Sequence, residues 1–344
     1  MLAIGVQVTM MLTLVGLSRG MVEGSANRTR GVGADIMVRP TGAAIIGMNG
    51  APMPEGIVDF LQKQPHVALA TGTVVHVYSG VDSITGLDLP KFNAMSGGFR
   101  FIEGGTFQTP NDILIDESFA RQHKLNAGGT VNLMNRDWHV AGVVESGKLG
   151  RVFLPIKVLQ ELTAATGKIT VAYVKVDDPR NTRAVVDQIH AKIPDNPVYA
   201  MEDFLALVSV DNIPGLNSFI RVIVGLSVIF GFLVVFLAMY TAVLERTREI
   251  GILKALGASP GYIIRLLLHE TVLIAVIGSI VGILLTYGTR WIIMARYPAS
   301  LTQVIVPDWW PNAALISLLG AVLGAMYPGL KAARQDAIEA LSYE

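Results

Sequence analysis

Cysteine is absent from the chain. That excludes disulfides, thiolate metal sites and cysteine nucleophiles, and is neutral between a reducing and an oxidising compartment. No charge of one sign prevails either, since 27 Lys and Arg are matched by 27 Asp and Glu. The chain therefore has neither the basic stripe of a nucleic-acid binder nor an acidic tail, and nucleic acid is excluded as a partner. Charged residues make up only 16% of the 344 residues, whereas 51% are hydrophobic, too many for an ordinary soluble protein. With 35 Gly and 16 Pro, the chain is equally ill suited to be membrane helix throughout. The composition asks for a membrane part and a soluble part together.

Reactive constellations are missing as well. Five of the six histidines, His66, His76, His123, His139 and His190, form no i, i+4 pair and have no cysteine to complete a metal site. Asp177 and Asp178 precede Pro179, which reads as turn chemistry rather than a catalytic dyad. Lys168 follows Gly167, yet no Ser or Thr comes next, so there is no phosphate-binding loop. Two G-x-S-x-G matches, at 16–20 and 257–261, lie beside membrane runs and not on a strand-turn-helix, and the second contains Pro260. No catalytic, cofactor-binding or metal-ligating residue is expected, and a membrane-anchored enzyme is disfavoured.

What the chain does contain is four apolar runs, at 1–17, 222–243, 266–287 and 312–328, each near the ~20 residues a helix needs to cross a bilayer. The first competes with a signal peptide. It has no basic lead-in and no small-residue cleavage site, and Arg19, Glu23, Arg28 and Arg30 prolong a helical pattern, so we read a membrane helix whose cytoplasmic lead-in is missing or very short. Residues 31–201 change texture to short alternating runs with turn residues between them, the pattern of an α+β soluble domain with two strand-helix rhythms and hence two subdomains. Strands are expected at 35–39, 67–78, 113–115, 131–134, 138–144 and 169–176, and helices at 54–62, 117–123, 155–163 and 182–192. A three-residue loop, 135–137, is expected to close a hairpin. Residues 202–221 form a helix-prone bridge broken near Pro214-Gly215.

Between the second and third runs lies the most legible stretch, ERTREIGILKALG at 245–257. Gly257 supplies a left-handed stop, Ser259 a cap and Pro260 the first position of the next helix. A charged helix held between two spans lies on the membrane surface, where it is either a solvated turn or a docking surface. Ile250, Leu253 and Leu256 recur at three-residue spacing among Glu245, Arg246, Arg248, Glu249 and Lys254. Arg265, His269 and Glu270 open the third span. They either snorkel to the interface, or Glu270 locks the surface helix to the span. Gly278 with Gly282, and Gly320 with Gly324, make small-xxx-small faces suited to helix packing. Trp291, Tyr297, Trp309 and Trp310 are placed as an interfacial belt.

Residues 245–265 carry Arg246, Arg248, Lys254 and Arg265, against Arg290 and Arg296 in 288–311, while Lys331 and Arg334 follow the last run. The positive-inside rule then puts 245–257 and the tail 331–344 in the cytoplasm and the soluble domain outside. The fold class expected is a four-span, one-plus-three membrane helical protein with a large α+β extracytoplasmic domain.

This layout, with ERTREIGILKALGASPGYIIRLLLHE at 245–270 and the ending YPGLKAARQDAIEALSYE, resembles the MacB/LolC/FtsX superfamily of ABC transporter permeases. GVGADIMVRP, GGFRFIEGGTF and NDILIDESFARQHKLNAGGTVNL resemble that family's MacB-like periplasmic core domain. The departure is at the start, where the family has an amphipathic lead-in helix. The resemblance implies a permease subunit in the inner membrane that binds no cofactor itself. It would pair with a second permease chain, identical or paralogous, and with two copies of a separate ATPase that holds ATP and Mg. A periplasmic adaptor or lipoprotein carrier is a further partner of such systems. Residues 245–256 would be the coupling helix, with Arg246, Arg248, Glu249 and Lys254 as polar contacts and Ile250 and Leu253 as apolar anchor. Such permeases act as mechanical transmitters in drug efflux or lipoprotein release. An FtsX-like protein that activates a cell-wall hydrolase without transport is the alternative.

Overall fold

The computed structural model describes residues 2–42, 52–79, 82–208, 214–298 and 301–334. Packing divides the chain into two units, one of Met1–Arg19, Pro214–Met294 and Gln303–Glu344, the other of Gly20–Ile213 and Ala295–Thr302.

The second unit is built on one mixed sheet. Its strands lie in the order β12 (Val198–Ala200), β1 (Ile36–Val38), β11 (Val171–Val176), β3 (Val67–Ser79), β4 (Asp82–Leu87), β9 (Val152–Pro155), β6 (Asp112–Asp116), β8 (Arg136–Val144) and β5 (Phe101–Gly104), with β7 (Thr130–Leu133) added to β8. β2 (Met53–Pro54) and β10 (Lys168–Ile169) form a separate two-stranded ribbon. Successive side chains of a strand point to opposite faces, and here both faces are covered. Ile113 and Ile115 of β6 enter a core with Trp138 and the helices α2 (Gly56–Gln62), α4 (Glu117–His123), α5 (Ile156–Leu162) and α6 (Thr182–Lys192). Leu114, between them, enters the opposite core with Phe153, Tyr173 and the helices α3 (Leu89–Ser96) and α7 (Met201–Leu207). Both strand-helix rhythms contribute to this sheet, because β4 pairs in parallel with β9, Ile84 opposite Val152.

Two local expectations are corrected. The β7–β8 hairpin closes on two residues, not three: Leu133 pairs with Arg136, and Met134 and Asn135 between them have φ of 54° and 58°. Positive φ at both positions gives a turn whose twist matches that of the strands, so Arg136 and Asp137 belong to β8. The expected strand at 169–176 is divided into β10 and β11. Thr170 bonds to β3 instead, its N–H donating to Thr73 O (2.8 Å) and its hydroxyl accepting from Val75 N (2.9 Å). Helix α3 went unread although its signals are in the sequence: Asp88 accepts from Lys91 N (3.2 Å), a proline sits at its start and Gly97 ends it at φ 74°.

The first unit is helical. Helices α1 (Leu2–Arg30), α8 (Pro214–Glu245), α10 (Pro260–Arg296) and α11 (Trp310–Arg334) are long and apolar enough to cross a membrane. Each outruns its apolar run. The expected break in the bridge falls at the start of α8, and 209–213 lie outside the described residues, as does most of the tail, 335–344. Close approach holds the bundle together. A Cβ on Gly282 would meet Gly5 O at 2.6 Å and Val8 Cβ at 2.7 Å, and one on Gly324 would meet Phe232 O at 2.8 Å. Thr9 Oγ1 donates to Gly282 O (3.0 Å), Thr13 pairs with Thr289 (3.0 Å) and Ser279 with Ser317 (2.9 Å). Most polar side chains within the bundle thus bond to a neighbouring helix or to their own.

Candidate functional site

The charged stretch after α8 folds as its residues dictate. Arg246 leaves helical geometry at φ −102°, ψ 16°, and a short helix α9 (Thr247–Ala255) follows. Gly257 takes φ 93°, Gly257 N donates to Lys254 O (2.9 Å) and Ala258 N to Leu253 O (2.9 Å). That pair of bonds is a Schellman stop, which satisfies carbonyls the helix end would leave open. Ser259 Oγ then accepts from Tyr262 N (3.3 Å), with Pro260 opening α10.

Among the described residues, a buried face and two polar contacts fix α9 to the bundle. Thr247, Ile250 and Gly251 are buried, one helical face at i, i+3 and i+4. Arg246 Nη1 lies 3.2 Å from Glu270 Oε2 and 3.3 Å from Oε1. Lys254 Nζ donates to Ala333 O at 2.8 Å. Ile250, expected as an anchor for a partner, is thus turned into the chain at 7% exposure, and Lys254 bonds within it. The outward face carries Glu245, Arg248 and Glu249, with Ile252 46% and Leu256 80% exposed, while Leu253 is half-buried. An apolar pair ringed by both signs of charge is suited to a protein groove. Sequence reasoning passed over Ile252, although it lies two positions from Ile250 and so on the opposite side of a helix.

The expected packing glycines separate by neighbour. Gly278 and Gly282 face α1, where the Gly278 carbonyl stands close to Gly5, whereas Gly324 faces α8 and Gly320 lies more loosely near Val228 O. In the sheet domain His139 Nδ1 bonds to Asp112 Oδ1 (2.9 Å), and Asp112 Oδ2 accepts from Gln108 N (2.6 Å) and Thr109 N (2.8 Å). Burial alone would raise the Asp112 carboxyl; the bonds from Gln108, His139 and Thr109 prevail and hold it at about 2. His66 bonds to Asp177 (3.0 Å) in an exposed turn. Among the described residues no three His, Asp or Glu side chains converge as a metal cage.

Residues 1–192 match the family described as MacB-like periplasmic core domain, and residues 221–337 match FtsX-like permease C-terminal. The chain belongs to the MacB/FtsX-like family of ABC transporter permeases. The permease is 28% identical over 269 residues to the uncharacterized ABC transporter permease YknZ of Bacillus subtilis (strain 168), covering 71% of this chain and 66% of that one. To the macrolide export ATP-binding/permease protein MacB of Escherichia coli (strain K12) it is 28% identical over 323 residues, 83% of this chain and 48% of that one. It therefore spans about half to two thirds of the length of the curated relatives it matches. The crystal structure of the periplasmic region of MacB from Actinobacillus actinomycetemcomitans aligns with 52% of this chain and 94% of its own at 16% identity and a TM-score of 0.41.

Proposed function

We propose that this permease is one membrane subunit of an ABC transporter, driven by an ATPase on a separate chain, and that it exports or releases its cargo by moving an extracytoplasmic domain. The observation that carries the reading is α9: a polar helix with rigid ends, fastened inward through Ile250 and presenting Ile252, Leu256, Arg248 and Glu249 outward. Such a helix transmits force if something grips its outer face. The ATPase does so in this reading, in two copies, and a second permease chain completes the membrane part. The interior of the bundle favours transmission over conduction, since Thr9, Thr13, Ser279 and Ser317 spend their hydroxyls on neighbouring helices.

Because the chain has no cysteine, single introduced cysteines report sidedness without background. Leu256→Cys should resist a membrane-impermeant maleimide on intact cells, and a cysteine at Arg183 in the sheet domain should react. Labelling of Leu256→Cys from outside would put the docking helix on the wrong side and end the reading. Affinity capture of the full chain should bring down an ATPase. Recovery of a peptidoglycan hydrolase with it would favour signalling over transport.

A further inference from the structure

Helices α8 and α10 are joined to α9 through the chain itself; α11 is not. A displacement of α9 reaches α11 along the chain only by way of α10, and directly through non-covalent contacts, among them Lys254 Nζ to Ala333 O at 2.8 Å. Ala333 lies in the last described turn of α11. The same turn is held from another side, where Lys331 Nζ bonds to the Tyr240 hydroxyl of α8 (3.2 Å). Lys254 itself occupies the last turn of α9, at the opposite end from the Arg246–Glu270 contact.

We propose that Lys254 is a positioning residue that fastens the C-terminal end of α9 to α11 at Ala333, so that a push on α9 moves the fourth span together with the third. The inference rests on α9 being the ATPase-docking helix. Its content is separate: Lys254 serves the inside of the permease and not the partner. With the tie, α9 and α11 move as one body. Without it, α9 is attached to α10 through Arg246 and Glu270 but slides against α11.

Spin-label pairs in the full chain in nanodiscs test this, one pair at Ala255 and Leu330 for α9–α11, another at Ala255 and Leu266 for α9–α10. Distances are measured without nucleotide and with the captured ATPase trapped by a non-hydrolysable ATP analogue. In the parent chain the α9–α11 distance should be narrow and unchanged by trapping. Lys254→Met, which keeps the apolar stem, should broaden it and make it shift on trapping while the α9–α10 distance stays put, and Lys254→Arg should restore the parent behaviour. A narrow, nucleotide-independent α9–α11 distance in Lys254→Met would overturn the tie. Equal broadening of both pairs would also sink it, by showing that α9 had come loose altogether. If the parent chain captures no ATPase, the docking reading falls and the transmission falls with it.

Discussion

Arg246 and Glu270 stand 3.2 Å apart, joining the residue where α8 gives way to α9 to the second turn-pair of α10. Of the two roles open to Glu270 from sequence, the structure gives it a partner. Their side chains are 53% and 39% exposed, and pairs of that exposure contribute about 0.2–1 kcal/mol. Glu270→Gln should therefore move the melting temperature little and weaken ATPase stimulation by the permease. Exchanging the charges, Arg246→Glu with Glu270→Arg, should recover stimulation. A charge exchange that behaves like the single variant would show that the pair has no part in transmission.

Ile250 and Ile252 should respond differently to the same change. Ile252→Asp places a carboxylate on the outward face and should abolish ATPase capture while leaving folding intact. Ile250→Asp buries one against the bundle, at a cost of roughly several kcal/mol, and should lower the yield of folded protein itself. Size-exclusion profiles together with affinity capture separate the two outcomes.

Gly282→Val should disturb the contact with α1, since the first added carbon already falls 2.6 Å from Gly5 O. Overpacking of this kind costs about 1–3 kcal/mol. Gly288, on the same helix with nothing within 4 Å of an added Cβ, is the control, and Gly288→Val should be near neutral. Thermal unfolding in detergent reads both.

Asp112 ties the 108–109 backbone and His139 to β6, and its carboxyl is held at about 2 in the folded chain against an ordinary value of 3.8. A carboxyl depressed by folding stabilises the fold above its unfolded value, and that contribution fades as pH falls from 3.8 toward about 2. Asp112→Asn should lower stability near neutral pH and flatten the loss between pH 4 and pH 2. Near-UV circular dichroism of the full chain against pH checks the slope; an unaltered acid limb would refute the assignment.

Local signals carried the sequence a long way. The stop at Gly257, the cap at Ser259 and the helix at 117–123 depend on residues a few positions apart, and each is set by backbone chemistry that neighbours in sequence supply. Strands buried on both faces were harder. β9 lacks alternation because both of its sides are apolar, and β5, short and largely exposed, offers little pattern of any kind.

The sequence by itself determined that a charged helix with firm ends interrupts the membrane runs, and that an α+β domain lies between the first run and the rest. Only the tertiary structure decided which way that helix faces. Three-residue spacing drifts around a helix by about 60° per step, so Ile250 and Leu256 stand about 120° apart, and one is buried while the other is 80% exposed. The neighbours that select the buried side, Glu270 on α10 and Ala333 on α11, are distant in sequence, and only packing brings them to Arg246 and Lys254.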